Sequence, residues 1–286
     1  MHRGSAVFDV TLQPEKVTTP SSSSGMITDD IGYIAIYAFS LTTGKSVEEE
    51  IDELIKQGAD KLIIDLRNNG GGTVQSALEI ADAFLSKGRI LEIRYKEGSG
   101  RAESIINADS ETIVPDSIPL LLLVNGGTAS SSEILTGALK DNGRATVIGS
   151  QTFGKGISQE VRPFAGGYIQ ITTGHFYTPD GSDIHKIGIT PDIVIDEPEY
   201  TDAEMKAYES FMETDALSEY IGKHPEYTKE NAEEFAREYA SSGVPEDLLK
   251  LLIRNEYIYS MDYDERPVAD TWFDPCIRKA LEVLGE

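Results

Sequence analysis

The sequence is poor in residues that seat metals or staple small folds. It has one cysteine, Cys276, so no internal disulfide can form, and its four histidines (His2, His175, His185, His224) are scattered with no H-x-x-x-H pair for zinc. Neither a metal site nor a cofactor is expected. No run approaches the ~18 consecutive apolar residues that a bilayer-spanning helix needs, which excludes an integral membrane segment. Basic residues are scarce beside acidic ones, 25 against 49, and the formal charge of −24 repels nucleic-acid phosphates and anionic lipid alike. Nucleic acid is therefore not an expected partner. The start also lacks the charged-then-apolar pattern of a secretion signal: Met1 leads through His2-Arg3-Gly4 into a strand-like stretch at 6–12.

What is present is ordinary for a globular protein. The 286 residues, 40% apolar and 26% charged, suffice for one substantial domain and a smaller appendage. Residues 18–25, T-T-P-S-S-S-S-G, have linker composition and mark a boundary. Beyond it a strand is expected at 31–38, then a capping box at Ser46-Val47-Glu48-Glu49 opening a helix that stops at Gly58. Strand 62–66, helix 74–85, strands 89–96 and 120–124, helix 132–140 and strand 145–149 follow, an alternation that predicts helices covering a partly parallel sheet. Strands 161–164 and 168–175 read as an antiparallel hairpin added at one side. After about Asp196 the chain becomes acidic and helical, with a second capping box, Thr201-x-x-Glu204, and an apolar cluster at 248–253 that has to pack on something. The expected division is 1–25, 26–198 and 199–286.

Three segments carry chemistry. Residues 127–133, G-T-A-S-S-S-E, join an apolar strand to a helix and expose Ser130 in a tight turn, where a nucleophile belongs. Residues 154–159, G-K-G-I-S-Q, offer Lys155 as a base for that serine. Residues 61–72, K-L-I-I-D-L-R-N-N-G-G-G, run from a buried strand into a glycine turn whose N–H groups can stabilise an oxyanion. Each alone is usually a cap or a solvated loop. Together they point to a serine-lysine hydrolase.

In this order the segments resemble the C-terminal processing peptidases, or tail-specific proteases. The family's D-L-R-x-N-x-G-G is similar to 65–72, its G-[ST]-A-S-A-[SA]-E to 127–133 and its F-G-K-G-x-x-Q to 153–159, while Y-T-P-x-G and G-I-x-P-D recur at 177–181 and 188–192. Gly70 stands where proline is common and Ser131 where alanine is common; neither change removes a reacting group. The resemblance spans about Ser5 to Asp196. It implies an α/β, Clp-protease/crotonase-like core of stacked strands and helices with an acidic helical C-terminal appendage, and a serine endopeptidase acting near the C-termini of protein or peptide substrates. It implies Ser130 as nucleophile, Lys155 as general base and Gln159 as the residue orienting the lysine. It further implies that residues 1–25 are the end of a PDZ domain and its linker, and that the protein acts in the periplasm or cell envelope. Association into a homo-oligomer is a further expectation.

The oxyanion would lie against the N–H of Ser131 and a second N–H from the glycine run, with Gly71 the expected donor. A lysine of pKa ~10.4 is neutral in about one molecule in 2,500 at pH 7, so the base is expected in a partly dry site beside groups such as Phe153. On a straight strand Lys155 and Gln159 would be about 13 Å apart, so their contact requires a bend or bulge, for which Gly156 is suited. Glu133 reads chiefly as a first-turn helix carboxylate. Two other readings stand beside this one: a Ser-His-Asp triad using His175 or His185, and a non-catalytic peptide- or ligand-binding module on the same fold.

Overall fold

Strands that are apolar at nearly every position need cover on both faces, and this condition organises the molecule. The computed structural model describes residues 2–3, 6–7, 13, 19–98, 100–109 and 112–286. In chain order the elements begin with β1 (His2–Arg3), β2 (Ala6–Val7), β3 (Ser22–Met26), β4 (Ile31–Ile36), α1 (Thr43–Gln57), β5 (Lys61–Asp65), α2 (Val74–Phe84), β6 (Arg89–Tyr95) and β7 (Ser104–Asn107). They continue with β8 (Leu120–Val124), α3 (Ser131–Asp141), β9 (Thr146–Gly149), β10 (Ile157–Phe164), β11 (Gly167–Tyr177) and β12 (Ile193–Val194). The tail holds α4 (Asp202–Met212), α5 (Ala216–Lys223), α6 (Lys229–Glu238), α7 (Glu246–Ser260) and α8 (Pro275–Leu284). Of the strand expected at 6–12, residues 8–12 lie outside the described residues. No helix among those described is long and apolar enough to cross a membrane.

Six strands form the central sheet in the order β12-β9-β8-β5-β4-β3, parallel throughout except for β3. Alternate side chains point to opposite faces. Ile34, Ile36, Leu62, Ile64, Leu122 and Val147 meet α1, α2 and α3 in the main core, while Tyr33, Ile63, Leu121, Leu123 and Ile148 meet Cys276, Ile277 and Ala280 of α8. The protein is thus a mixed α/β fold of stacked sheets and helices. The second sheet, β10-β11-β6-β7, is antiparallel. Its β10–β11 hairpin closes through Ala165 and Gly166, both at positive φ (48° and 82°), a pairing suited to a two-residue primed turn.

The structure amends several expectations. Residues 22–26 are not linker: their backbone pairs along the free edge of β4, and Ser22, 5% exposed, bonds Glu50. Edge pairing uses main-chain groups and needs no apolar alternation, so composition concealed it. Helix α1 starts before Ser46, because buried Thr43 ties its hydroxyl to Ser21 at 2.7 Å and accepts the Ser40 N–H at 2.8 Å. Strand β6 joins the hairpin sheet rather than the central one. In the tail, Thr201 and Glu204 form the expected capping box. Leu249 and Ile253 pack with Phe211, Phe235 and Tyr257 in a core of their own, whereas α8 returns to the central sheet.

Candidate active site

The turn between β8 and α3 is fixed from within. Thr128 is fully buried; its hydroxyl donates to Leu66 O at 2.8 Å and accepts the Asn125 N–H at 2.9 Å. Two residues on, Ser130 is forced to φ 58°, ψ −115°, a conformation L-residues rarely hold, at the mouth of α3. The N–H of Ser131, at the first position of the helix, takes no hydrogen-bond partner among the described residues. It is therefore available to an anion.

The glycine turn is pressed against this elbow. A Cβ at Gly71, which has φ 95°, would lie 2.7 Å from Ala129 O and 2.9 Å from both Ser130 Cβ and Ser131 N. No side chain fits there. Two hydroxyls of α3 grip the turn: Ser131 donates to Gly72 O at 3.0 Å and Ser132 to Asn69 O at 2.9 Å. Fully buried Asn69 donates to Ile36 O at 2.7 Å and accepts the Gly71 N–H at 2.9 Å. The donor expected from Gly71 thus already has an internal partner.

Glu133 does more than sequence position implied. It is fully buried and accepts four hydrogen bonds: from Ser130 N–H at 2.9 Å, the Thr152 hydroxyl at 2.7 Å, Gly154 N–H at 2.7 Å and Lys155 N–H at 2.8 Å. One carboxylate therefore ties the Ser130 turn to the loop carrying Lys155. That loop is held from behind by Lys186 N–H to Gly154 O at 2.8 Å and Phe176 N–H to Gly156 O at 2.9 Å.

The side chains on that loop are less settled. Lys155 is exposed, and its amine has no hydrogen bond or ion pair among the described residues. Phe153, expected to dry the site, is itself 65% exposed. The anticipated irregularity exists as a register shift between Ser158 and Gln159. Gln159, however, is exposed and pairs within the hairpin, donating to Thr172 at 3.3 Å and accepting from Gln170 at 2.8 Å. His175 pairs with Asp183 at 3.0 Å and packs edge-on to His185, their ring centroids 5.1 Å apart. Neither histidine is hydrogen-bonded to Ser130. A cavity of about 880 Å³, between the carboxyl ends of the central strands and the tail helices, has Asn68 and Asn125 in its wall but neither Ser130 nor Lys155.

The backbone roles of Asn69, Thr128 and Thr152 were not foreseen. Threonine hydroxyls that bond a turn carbonyl (Thr128) or a buried carboxylate (Thr152) leave no periodic trace; Glu133, acidic inside an otherwise buried helix, was the nearest signal.

A model described as peptidase family S41 matches residues 30–195. A carboxyl-terminal-processing protease of Synechocystis is 39% identical over 197 residues, covering 68% of this chain and 44% of that one. A chloroplastic C-terminal processing peptidase of Tetradesmus obliquus is 34% identical over 220 residues, covering 74% and 46%. Among solved structures, a photosystem II D1 C-terminal processing protease superposes with a TM-score of 0.57 at 34% identity, covering 64% of this chain and 50% of that one. The chain thus spans less than half the length of these two curated relatives.

Proposed function

The chain belongs to peptidase family S41, and from that premise we propose that it is a serine endopeptidase cleaving protein or peptide substrates near their C-termini. The observation that carries the reading is the Glu133 carboxylate, which bonds Ser130 N–H and Lys155 N–H through the same oxygen. Ser130 is the proposed nucleophile and Lys155 the base: the neutral amine takes the hydroxyl proton as Ser130 attacks the carbonyl, then returns it to the leaving amine. The tetrahedral oxyanion is received by Ser131 N–H and by Gly71 N–H, which exchanges its bond to Asn69 for the substrate. Because the Lys155 amine is exposed and unpaired, its side chain has to fold toward Ser130 for turnover. Gln159 orients it only if it leaves Thr172 and Gln170.

We further propose a Clp-protease/crotonase-like core near 26–198, in keeping with the family match at 30–195, with 1–25 as the end of a PDZ-like domain and 199–286 as an appendage. Strand β3 and helix α8 qualify both boundaries, since each packs on the core sheet. An extracytoplasmic site of action, in periplasm or cell envelope, is part of the same proposal, as is association into a homo-oligomer.

The exposed lysine and the occupied Gly71 amide favour one second reading, a peptide-gripping module without turnover. A fluorophosphonate probe separates the two. Mass-mapped labelling at Ser130, lost in Lys155→Ala and kept in His175→Ala and His185→Ala, supports the peptidase; no labelling of the wild type overturns it.

A further inference from the structure

The glycine turn is anchored to the far end of the chain. Asp65, 8% exposed at the end of β5, accepts from Arg67 N–H at 2.9 Å, from Arg67 Nε at 3.0 Å to each oxygen and from Nη2 at 2.6 Å. The Tyr33 hydroxyl adds a donor at 2.7 Å. The free arm of the same guanidinium, Nη1, reaches Asp274 Oδ2 at 2.7 Å. Asp274 Oδ1 meanwhile caps α8, accepting Cys276 N–H at 2.9 Å and Ile277 N–H at 3.1 Å. Burial opposes the charge on Arg67, but its bonds to Asp65 and the nearby charge of Asp274 outweigh that and raise its pKa. Burial, then the Asp65 charge, pushes the Tyr33 phenol up.

The segment before α8 is latched a second time. Asp270 accepts Trp272 N–H at 3.0 Å and Phe273 N–H at 2.9 Å, and its other oxygen lies 3.2 Å from Arg254 Nε in α7. The two latches differ in what they hold. Asp270 joins tail to tail, whereas Asp274 joins tail to the turn that carries Gly71.

Little slack separates Arg67 from the site. Asn68, at φ 59°, is locked to Asn125 by reciprocal bonds of 2.8 and 3.0 Å, and Asn69 is bonded on both sides as described. We propose that Arg67 and Asp274 are positioning residues for the oxyanion turn, so that α8 belongs to the catalytic apparatus rather than to a separable appendage. This rests on the peptidase reading. Removing the Asp274 charge takes the anionic partner from one arm of a half-buried fork, and Arg67 can regain a charged partner only by moving the turn it begins.

The test compares the two latches in the full chain. Asp274→Asn keeps an acceptor for the α8 cap while removing the charge toward Arg67; Asp270→Asn makes the matching change at the other latch. Fluorophosphonate labelling of Ser130, kcat and KM on a fluorogenic unstructured peptide, and amide exchange over 66–72 are measured. For Asp274→Asn, labelling and kcat are expected to fall about 10- to 100-fold with KM within about twofold, and exchange over 66–72 to quicken. Asp270→Asn is expected to melt earlier with unchanged labelling. If Asp274→Asn does not fold, Arg67→Lys, which keeps the charge and loses the fork, carries the comparison. Wild-type labelling and exchange in the Asp274→Asn chain, or equal losses at both latches, overturn the proposal. A wild-type chain that neither labels nor cleaves sinks the peptidase reading instead, and the exchange comparison then decides the anchoring by itself.

Discussion

Around Ser130, the glycine turn, the first turn of α3 and the backbone of the Thr152–Lys155 loop are bonded to one another largely out of solvent. The hairpin that begins just after Lys155 is exposed over most of its length, with Val161 at 64%, Phe164 at 65% and Tyr168 at 81%. The difference separates two tasks. On the proposed reading, stabilising an oxyanion calls for donors held near Ser130 before the substrate arrives, and internal bonds hold the turn there, the Gly71 N–H against Asn69. Delivering a proton needs a side chain that can reach and withdraw, and the exposed lysine is free to do so. The Ser130 side is held by internal bonds to the glycine turn; the Lys155 loop is held at its backbone while the lysine side chain is exposed.

The strongest way to break this comparison is Lys155→Ala. Cleavage should fall by about 10²–10⁴, the usual contribution of a general base, while melting temperature stays put because the side chain is exposed. Lys155→Arg should be nearly as inactive although it keeps the charge, since arginine does not deprotonate.

Gly71→Ala probes the Ser130 side. It adds a methyl against Ala129 O and Ser130, and labelling should drop by about 10²–10³, as for loss of an oxyanion donor, with secondary structure retained by circular dichroism. Glu133→Gln tests the joint between the halves. An amide cannot accept at both ends, so at least one end of the side chain is mismatched with its N–H donors; stability should fall by on the order of 2–4 kcal/mol in urea titrations. Activity should fall as well, by roughly tenfold, as the Ser130 and Lys155 segments drift apart. The smallest effect expected is for Gln159→Ala, within about threefold in kcat, because its amide is occupied inside the hairpin. A loss beyond about 30-fold would mean that Gln159 leaves the hairpin during turnover, and would make the arm part of the reacting machinery.

Much of this was legible in the sequence. The apolar runs at 62–66 and 120–124 and the helices after Thr73 and Ser130 fell close to their observed bounds, since buried parallel strands and glycine turns leave strong local patterns. Ser130 and Lys155 could be singled out as candidates because both sit in short, compositionally unusual turns. Three things were hidden. Strand β3 is made by edge pairing of a serine-rich stretch. The Glu133 hub depends on N–H groups of residues about twenty positions away in the chain. The Arg67–Asp274 pair joins positions 207 residues apart, which no local pattern encodes.

Ser130 stands at φ 58°, where glycine is at ease and an L-residue costs about 1–3 kcal/mol. Among random variants chosen for heat tolerance alone, Ser130→Gly should therefore rise early, yielding a sturdier chain with no hydroxyl to attack. Heat screening without a cleavage readout would then erode the chemistry while every measure of folding improved. The position also offers a clock: in a lineage released from the need to cut, this serine should be among the first residues to drift.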